Sequence, residues 1–374
     1  MTTSRTDLPP LYRSWIGGLL PGPIPAESEA GCGDCAMCAA PSRRRSRRFG
    51  GAGAGPVRPI RIRSTGAGAM APGDSSRFFR PETKCCTFLP ALPNFLVGAV
   101  LDEPDPASAS GRASVEQRID ALLGATPVGL LQPPAYARRY AGGKEFFGRD
   151  PSMRCPHFLA EGGRCGIWRH RESTCATWFC KHVRGALGRT FWAALHGLLA
   201  AAETGLARFC VMEEDVGREA LLHAVATQGE RAVPATRRVL WGRWAGRERE
   251  YYRRCGARVA SLSWDRIERI CGVPLSIRVR LAREAYGDLV SRREFGPLKV
   301  GAFDVRPLDR DRSRVWAYSP FDPLDVPRSL LGVLREFDGR PTREVLAAIR
   351  RRHGLALGRG LVRKLADFGI LERG

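Results

Sequence analysis

Twelve cysteines in a chain of 374 residues carry most of its chemical potential, and they are unevenly placed. Cys32, Cys35 and Cys38 stand at two-residue spacing, Cys85 and Cys86 are adjacent, and Cys155, Cys165, Cys175 and Cys180 share one stretch with His157, His170 and His182. Cys210, Cys255 and Cys271 stand alone. A C-x2-C-x2-C run in a tight turn can aim successive sulfurs at one point. Paired thiols suit zinc, which takes four ligands in a tetrahedron. Three in series with a fourth elsewhere resemble an iron–sulfur ligand run, which favours iron–sulfur slightly, and spacing alone leaves both open. Thiolates exclude magnesium and calcium, which prefer oxygen. The competing explanation, small buried hydrophobes, suits a loop of Gly31, Gly33 and Asp34 poorly.

Eight residues form the expected ligand set: Cys32, Cys35, Cys38, Cys86, Cys155, Cys165, Cys175 and Cys180. Cys86 is preferred to Cys85 because adjacent side chains rarely point the same way. One four-iron cluster or two zinc sites would both draw on this set. Little apolar content lies between residues 30 and 90, so the two groups are expected to form one composite centre. Trp168, Trp178 and Phe179 are expected to give it a dry shell, and the histidines to orient ligands or lie at the surface. Cys210, Cys255 and Cys271 fall in helical stretches and read as core.

The elements that must position these residues divide the chain into five. Residues 1–38 are an apolar arm and the first cysteines. Residues 39–77, rich in Arg, Gly, Ala, Ser and Pro, carry no periodic apolar positions and read as a disordered basic insert. Residues 78–187 complete the cysteine-rich domain. A capping box at Ser114–Gln117 is expected to open a helix, and residues 125–150 to be irregular. Residues 188–295 are a helical region, with helices expected over 188–208, 239–255, 264–270 and 276–290. In residues 296–374, short strands at 299–305 and 313–318 flank a turn at 309–311. Three helices follow, the second with Thr342 as its N-cap. The fold class is therefore α+β and mainly helical.

The order Cys32-Gly-Asp-Cys35-Ala-Met-Cys38, Lys84-Cys85-Cys86, Cys165-Gly-Ile-Trp and Arg171-Glu-Ser-Thr-Cys175, ending at Phe179-Cys180, resembles the cysteine-cluster family, a zinc- or iron-chelating domain with a CxxCxxCC motif. The resemblance covers residues 30–185. It departs in two places: Glu172 stands where the family has Pro, and the insert splits the motif after Cys38. Some relatives are similar to flagellin lysine methylases linked to an iron–sulfur centre. Through Phe337-Asp338-Gly339-Arg340-Pro341-Thr342 and Phe368-Gly369-Ile370-Leu371 the C-terminal part resembles the PqqD type of peptide-binding module, and its helices also resemble a winged helix.

The net charge of +22 comes almost wholly from arginine and is scattered along the chain, which speaks for codon bias over a nucleic-acid partner. Arg359, Arg363 and Lys364 are the candidates for phosphate contact, against a solvated helix face. No apolar run reaches the ~20 residues a bilayer requires and no signal peptide is recognisable, so a cytoplasmic protein with reduced thiols and no membrane contact is expected. Three functions follow: a metal-binding protein without catalysis of its own; an iron–sulfur-dependent modifying enzyme, lysine-methylase-like, that recruits a protein or peptide through its C-terminal module; and a metal- or redox-responsive regulator that binds nucleic acid.

Overall fold

The computed structural model describes residues 8–27, 35, 37–38, 58–59, 63–64, 79–143, 146–226, 236–291 and 295–374. The fold class is α+β, dominated by helices with small sheets, and no described helix is long and apolar enough to cross a membrane. The chain divides into two compact units. The first comprises Met1–Pro23, Phe79–Trp178 and Ala193–Glu284, and the second Ile24–Phe78, Phe179–Trp192 and Ala285–Gly374.

In the first unit, the helix Asn94–Leu101 crosses the helix Glu248–Ala260 at two glycines. A side chain on Gly98 would run into the Tyr252 carbonyl, and one on Gly256 would lie 3.1 Å from the Ala99 amide. The backbones meet directly, and large side chains fill the flanks. Tyr251 and Tyr252 are wholly buried and donate their hydroxyls to the Pro127 and Thr126 carbonyls, each at 2.8 Å. Thr126 ends, and Pro127 directly follows, one strand of a small antiparallel sheet of Leu92–Pro93, Gly129–Leu130 and Ala125–Thr126. The 29-residue helix Gly185–Glu213 is Ala- and Leu-rich and buries Leu195, Leu198, Leu199, Ala202, Leu206 and Cys210 at helical spacing. The N-terminal arm is the helix Pro10–Ile16, with Tyr12, Trp15 and Ile16 buried.

Several sequence expectations are corrected in this unit. The helix expected to open at Ser114 opens at Ala109 and runs to Asp120, so Ser114 lies inside it and cannot cap. The expected 239–255 helix is two, Arg237–Trp241 and Glu248–Ala260, because Gly242 and Gly246 take left-handed φ of +48° and +90°. The stretch 125–150 holds the two short strands and a helix, Pro134–Ala141, with proline at its first position. Cys210 and Cys255 are core residues as expected, and Cys271 is half-buried against Gly205.

In the second unit, Asp304–Pro307, Arg312–Trp316 and Leu324–Pro327 form an antiparallel meander, followed by the helices Arg328–Leu334, Thr342–His353 and Arg359–Asp367. Val315, Leu324, Val326, Leu330, Phe337, Ile349 and Leu365 pack between them. The third strand was not expected; its sequence Leu-Asp-Val-Pro is too short for a period-2 signal, and Arg314 on the neighbouring strand neutralises Asp325 inside the sheet at 2.8 Å. Thr342 is the first helical residue, not the cap, and its Oγ1 donates to the Gly296 carbonyl at 2.6 Å.

The insert also differs from expectation. Arg63–Ser64 pairs antiparallel with Leu324–Pro327, and Arg58–Pro59 pairs parallel with Leu355–Ala356. A sheet edge is completed by main-chain hydrogen bonds and needs no apolar periodicity in the added strand. The rest of the proposed disordered insert, residues 39–57, 60–62 and 65–77, lies outside the described residues.

Candidate metal centre

Cys85 and Cys86 sit in a succession of turns opened by Thr83 and Lys84, the latter at a left-handed φ of +50°. Both ends of this segment are fastened. Thr83 Oγ1 donates to the Gly148 carbonyl at 2.7 Å, the Gly148 amide donates to Thr87 Oγ1 at 2.6 Å, and the Tyr136 hydroxyl donates to the Thr87 carbonyl. The tight turn brings the two adjacent thiols into hydrogen-bonding contact with each other. The expectation of Cys86 over Cys85 assumes extended or helical backbone, and the segment here is a succession of turns.

The next thiols are tied to this segment through the main chain. The Cys155 amide donates to the Cys86 carbonyl at 2.6 Å. A hairpin then pairs Phe158 with Cys165 across Gly162 and Gly163, both at left-handed φ. Lys84 Nζ donates to the Gly163 carbonyl at 2.6 Å. Cys175 lies in the five-residue helix Ser173–Thr177. Glu172, in the place of the expected proline, caps that helix by accepting the Thr174 and Cys175 amides at 2.5 and 2.6 Å. The helix is held in turn by buried Glu203, which accepts from the Ser173 amide at 2.8 Å, from Ser173 Oγ at 2.5 Å and from the Tyr12 hydroxyl.

The Cys85 contact, burial, and the neighbouring Cys165 and Cys155 push the Cys86 thiol far up. Burial and Cys165 push Cys155 up to about 12. Burial, the Glu172 carboxylate, Cys165 and Cys155 push Cys175 up. Cys85, Cys86, Cys155, Cys165 and Cys175 all belong to the first unit. Of the expected ligands, Cys35, Cys38 and Cys180 belong to the second unit, and Cys32 lies outside the described residues. Among the described residues, no three Cys, His, Asp or Glu side chains are grouped as a metal-holding set.

Compared with family models, curated proteins and solved structures, the chain matches none.

The histidines take separate places. His157 is 1% exposed, with Nδ1 2.7 Å from Ser114 Oγ; burial and Arg118 hold it down to about 3, hence neutral. His170 Nε2 lies 2.9 Å from Glu103. In the second unit the His182 amide donates to Asp322, and the Val183 amide to Glu27, at 2.9 and 2.6 Å; these two buried carboxylates fix the backbone just after Cys180. Trp168 lies under the Arg171 guanidinium at 3.5 Å, Trp178 is 49% exposed, and Phe179 packs against Trp192. Sequence reasoning missed Arg118 and Ser114 as neighbours of this region. The one signal for them was their separation by four on one helix face.

The raised thiols fix a pH dependence. A folded thiol that titrates above its unfolded counterpart keeps a proton the unfolded chain releases. The metal-free fold is thus fully supported below the ordinary thiol pKa of about 8.5, and loses that support as pH rises through the folded value, about 12 for Cys155. Chelator-treated protein is expected to melt at progressively lower temperature above pH 8.5. A flat midpoint to pH 10.5 would show that these thiols are not held protonated together.

Proposed function

We propose that the chain is a metal-binding protein whose centre is held by cysteine thiolates, with Cys86, Cys155, Cys165 and Cys175 as its ligands in the first unit. The observation that supports this reading is the placing of five cysteines of the first unit on turns, a hairpin and a short helix, with Cys155 tied to Cys86 through the main chain and the loops fastened by side chains from outside them. Cys155 is buried and Cys86, Cys165 and Cys175 are half-buried, and a soft cation that displaced their protons would join these segments by coordination. The donors are all sulfur, which fits zinc or an iron–sulfur cluster; the cysteine order favours the cluster. When bound, either group supplies a rigid cross-link among three chain segments, and a cluster would add one-electron chemistry. The resemblance to the cysteine-cluster family points the same way.

A second reading is an iron–sulfur-dependent modifying enzyme that recruits a peptide through its C-terminal module. It rests on the resemblance of the C-terminal part to the PqqD type of peptide-binding module. The nucleic-acid regulator is supported less. Arg247 at the N-cap and Arg249, Arg253, Arg254 and Arg258 on the helix Glu248–Ala260 each pair with a carboxylate, and Arg363 and Lys364 donate to the Ser291 and Val183 carbonyls.

Anaerobic purification followed by metal and acid-labile sulfide analysis tests the reading. Iron with stoichiometric sulfide and broad visible absorption is expected for a cluster, and zinc without sulfide for a tetrahedral site. A chain that carries neither, and takes up neither after reduction, would refute it.

A further inference from the structure

Cys85 is not among the ligands proposed above, yet it is chain neighbour to one of them and, like Cys86, half-buried, so a small reagent can reach both. Cys210 and Cys255, by contrast, are wholly buried. The peptide unit that joins Cys85 to Cys86 is held at both of its polar ends. Its N–H, from Cys86, donates to the Thr83 carbonyl at 3.0 Å, and its carbonyl, from Cys85, accepts the Phe88 amide at 3.2 Å. The turns around it are fastened from outside, through Thr83 Oγ1 to the Gly148 carbonyl and the Gly148 amide to Thr87 Oγ1. In a strand, adjacent side chains leave on opposite faces. Here the backbone turns, and the two thiols meet in a hydrogen bond.

Two thiols held together by one pinned peptide unit are a single oxidation away from a disulfide. That bridge would be under strain. The peptide bond is trans, and consecutive Cα atoms across a trans peptide lie about 3.8 Å apart, closer than the roughly 4.4–6.8 Å that disulfides usually span. A strained, half-exposed bridge is easily reduced and belongs to the labile class rather than the structural one. It would make a poor staple and a reversible switch.

We infer that Cys85 and Cys86 are a redox-active vicinal dithiol, closed to a disulfide by exchange with the disulfide of a small thiol and reopened by the reduced thiol. Cys85 Sγ, as thiolate, attacks one sulfur of the small disulfide, whose S–S bond breaks to release one small thiol. Cys86 Sγ then gives its proton to water and attacks Cys85 Sγ, which forms the vicinal bond and releases the second small thiol. The two cysteines lose two electrons and two protons, and the small disulfide gains them. The inference does not rest on the metal centre; a metal held by Cys86 would compete for the same sulfur.

The test uses the full-length chain, reduced, stripped with a chelator and treated with glutathione disulfide, with and without denaturant. Trypsin then releases residues 85–112, which hold these two cysteines and no others. From the folded chain this peptide is expected to be lighter by two hydrogens and closed to iodoacetamide. A dithiol reductant should restore both hydrogens and both alkylation sites. In denaturant, where the turn no longer holds the thiols together, separate glutathione adducts should be the main product. A folded chain in which both thiols stay free, carry separate adducts, or link Cys86 to Cys155 would overturn the inference. An equal yield of the closed peptide with and without denaturant would do the same, because the turn would then contribute nothing. The metal and sulfide content of the untreated chain decides the metal centre and leaves this result unaffected.

Discussion

Cys175→Ser is expected to strip the chain of most of its metal and to lower its thermal midpoint in the same preparation. The two losses are one event, because a thiolate site does not exist in the unfolded chain and its binding energy is folding energy. A structural zinc contributes about 10–16 kcal/mol in isolated fingers. Replacing one thiolate of four by a hydroxyl forfeits a large part of that. At about 2–4 °C per kcal/mol for a domain of this size, the midpoint should fall by on the order of 10 °C. The local fold is expected to survive the substitution, since Glu172 accepts the main-chain amides of residues 174 and 175. Cys210→Ser is the control: Cys210 is wholly buried on the helix Gly185–Glu213, so it should lose some stability and no metal. Full occupancy with unchanged melting in Cys175→Ser would end the case for Cys175 as a ligand.

The cysteine pattern was legible in the sequence, because residue type and spacing are local. Its geometry was not. The convergence of Cys85 with Cys86 depends on a left-handed Lys84, and nothing in the letters Thr-Lys-Cys-Cys-Thr announces that conformation. Glu172 illustrates a different gap. As a substitution for proline it looked like a departure from pattern, yet a carboxylate at that position caps the helix that carries Cys175, and proline would have supplied no acceptor side chain. The long helices were visible from their apolar period, and their ends shifted where glycine or proline decided, as at Gly242 and at Pro274 near the start of Val273–Val290. The strands of the second unit were partly hidden, because two to five residues give too few alternations to count and one of them, Arg63–Ser64, comes from a segment without apolar content.

The largest effect expected away from the ligands belongs to Gly111. Its backbone φ is ordinary, so propensity alone would make Gly111→Ala stabilising by roughly 0.5–1 kcal/mol within a helix. Packing reverses the sign. Any Cβ on Gly111 would collide with the Gly166 carbonyl, which is main chain and cannot rotate aside. Either the helix Ala109–Asp120 or the hairpin that ends at Cys165 must move, and overpacking of this kind costs about 1–3 kcal/mol or more. The hairpin is the weaker of the two, a pair of two-residue strands, whereas the helix is also anchored by Val115 and Ile119 in the core. Cys165 should therefore be displaced from the other thiols. Gly111→Val is expected to lose metal far beyond what its loss of stability explains. Gly98→Ala, a clash of the same kind at the helix crossing, should lose at least as much stability and keep its metal at temperatures where it remains folded. Chelator competition and thermal melts on both variants decide the matter. Equal metal retention at equal stability would show that the Gly111–Gly166 contact supports the fold of the unit without setting the position of Cys165.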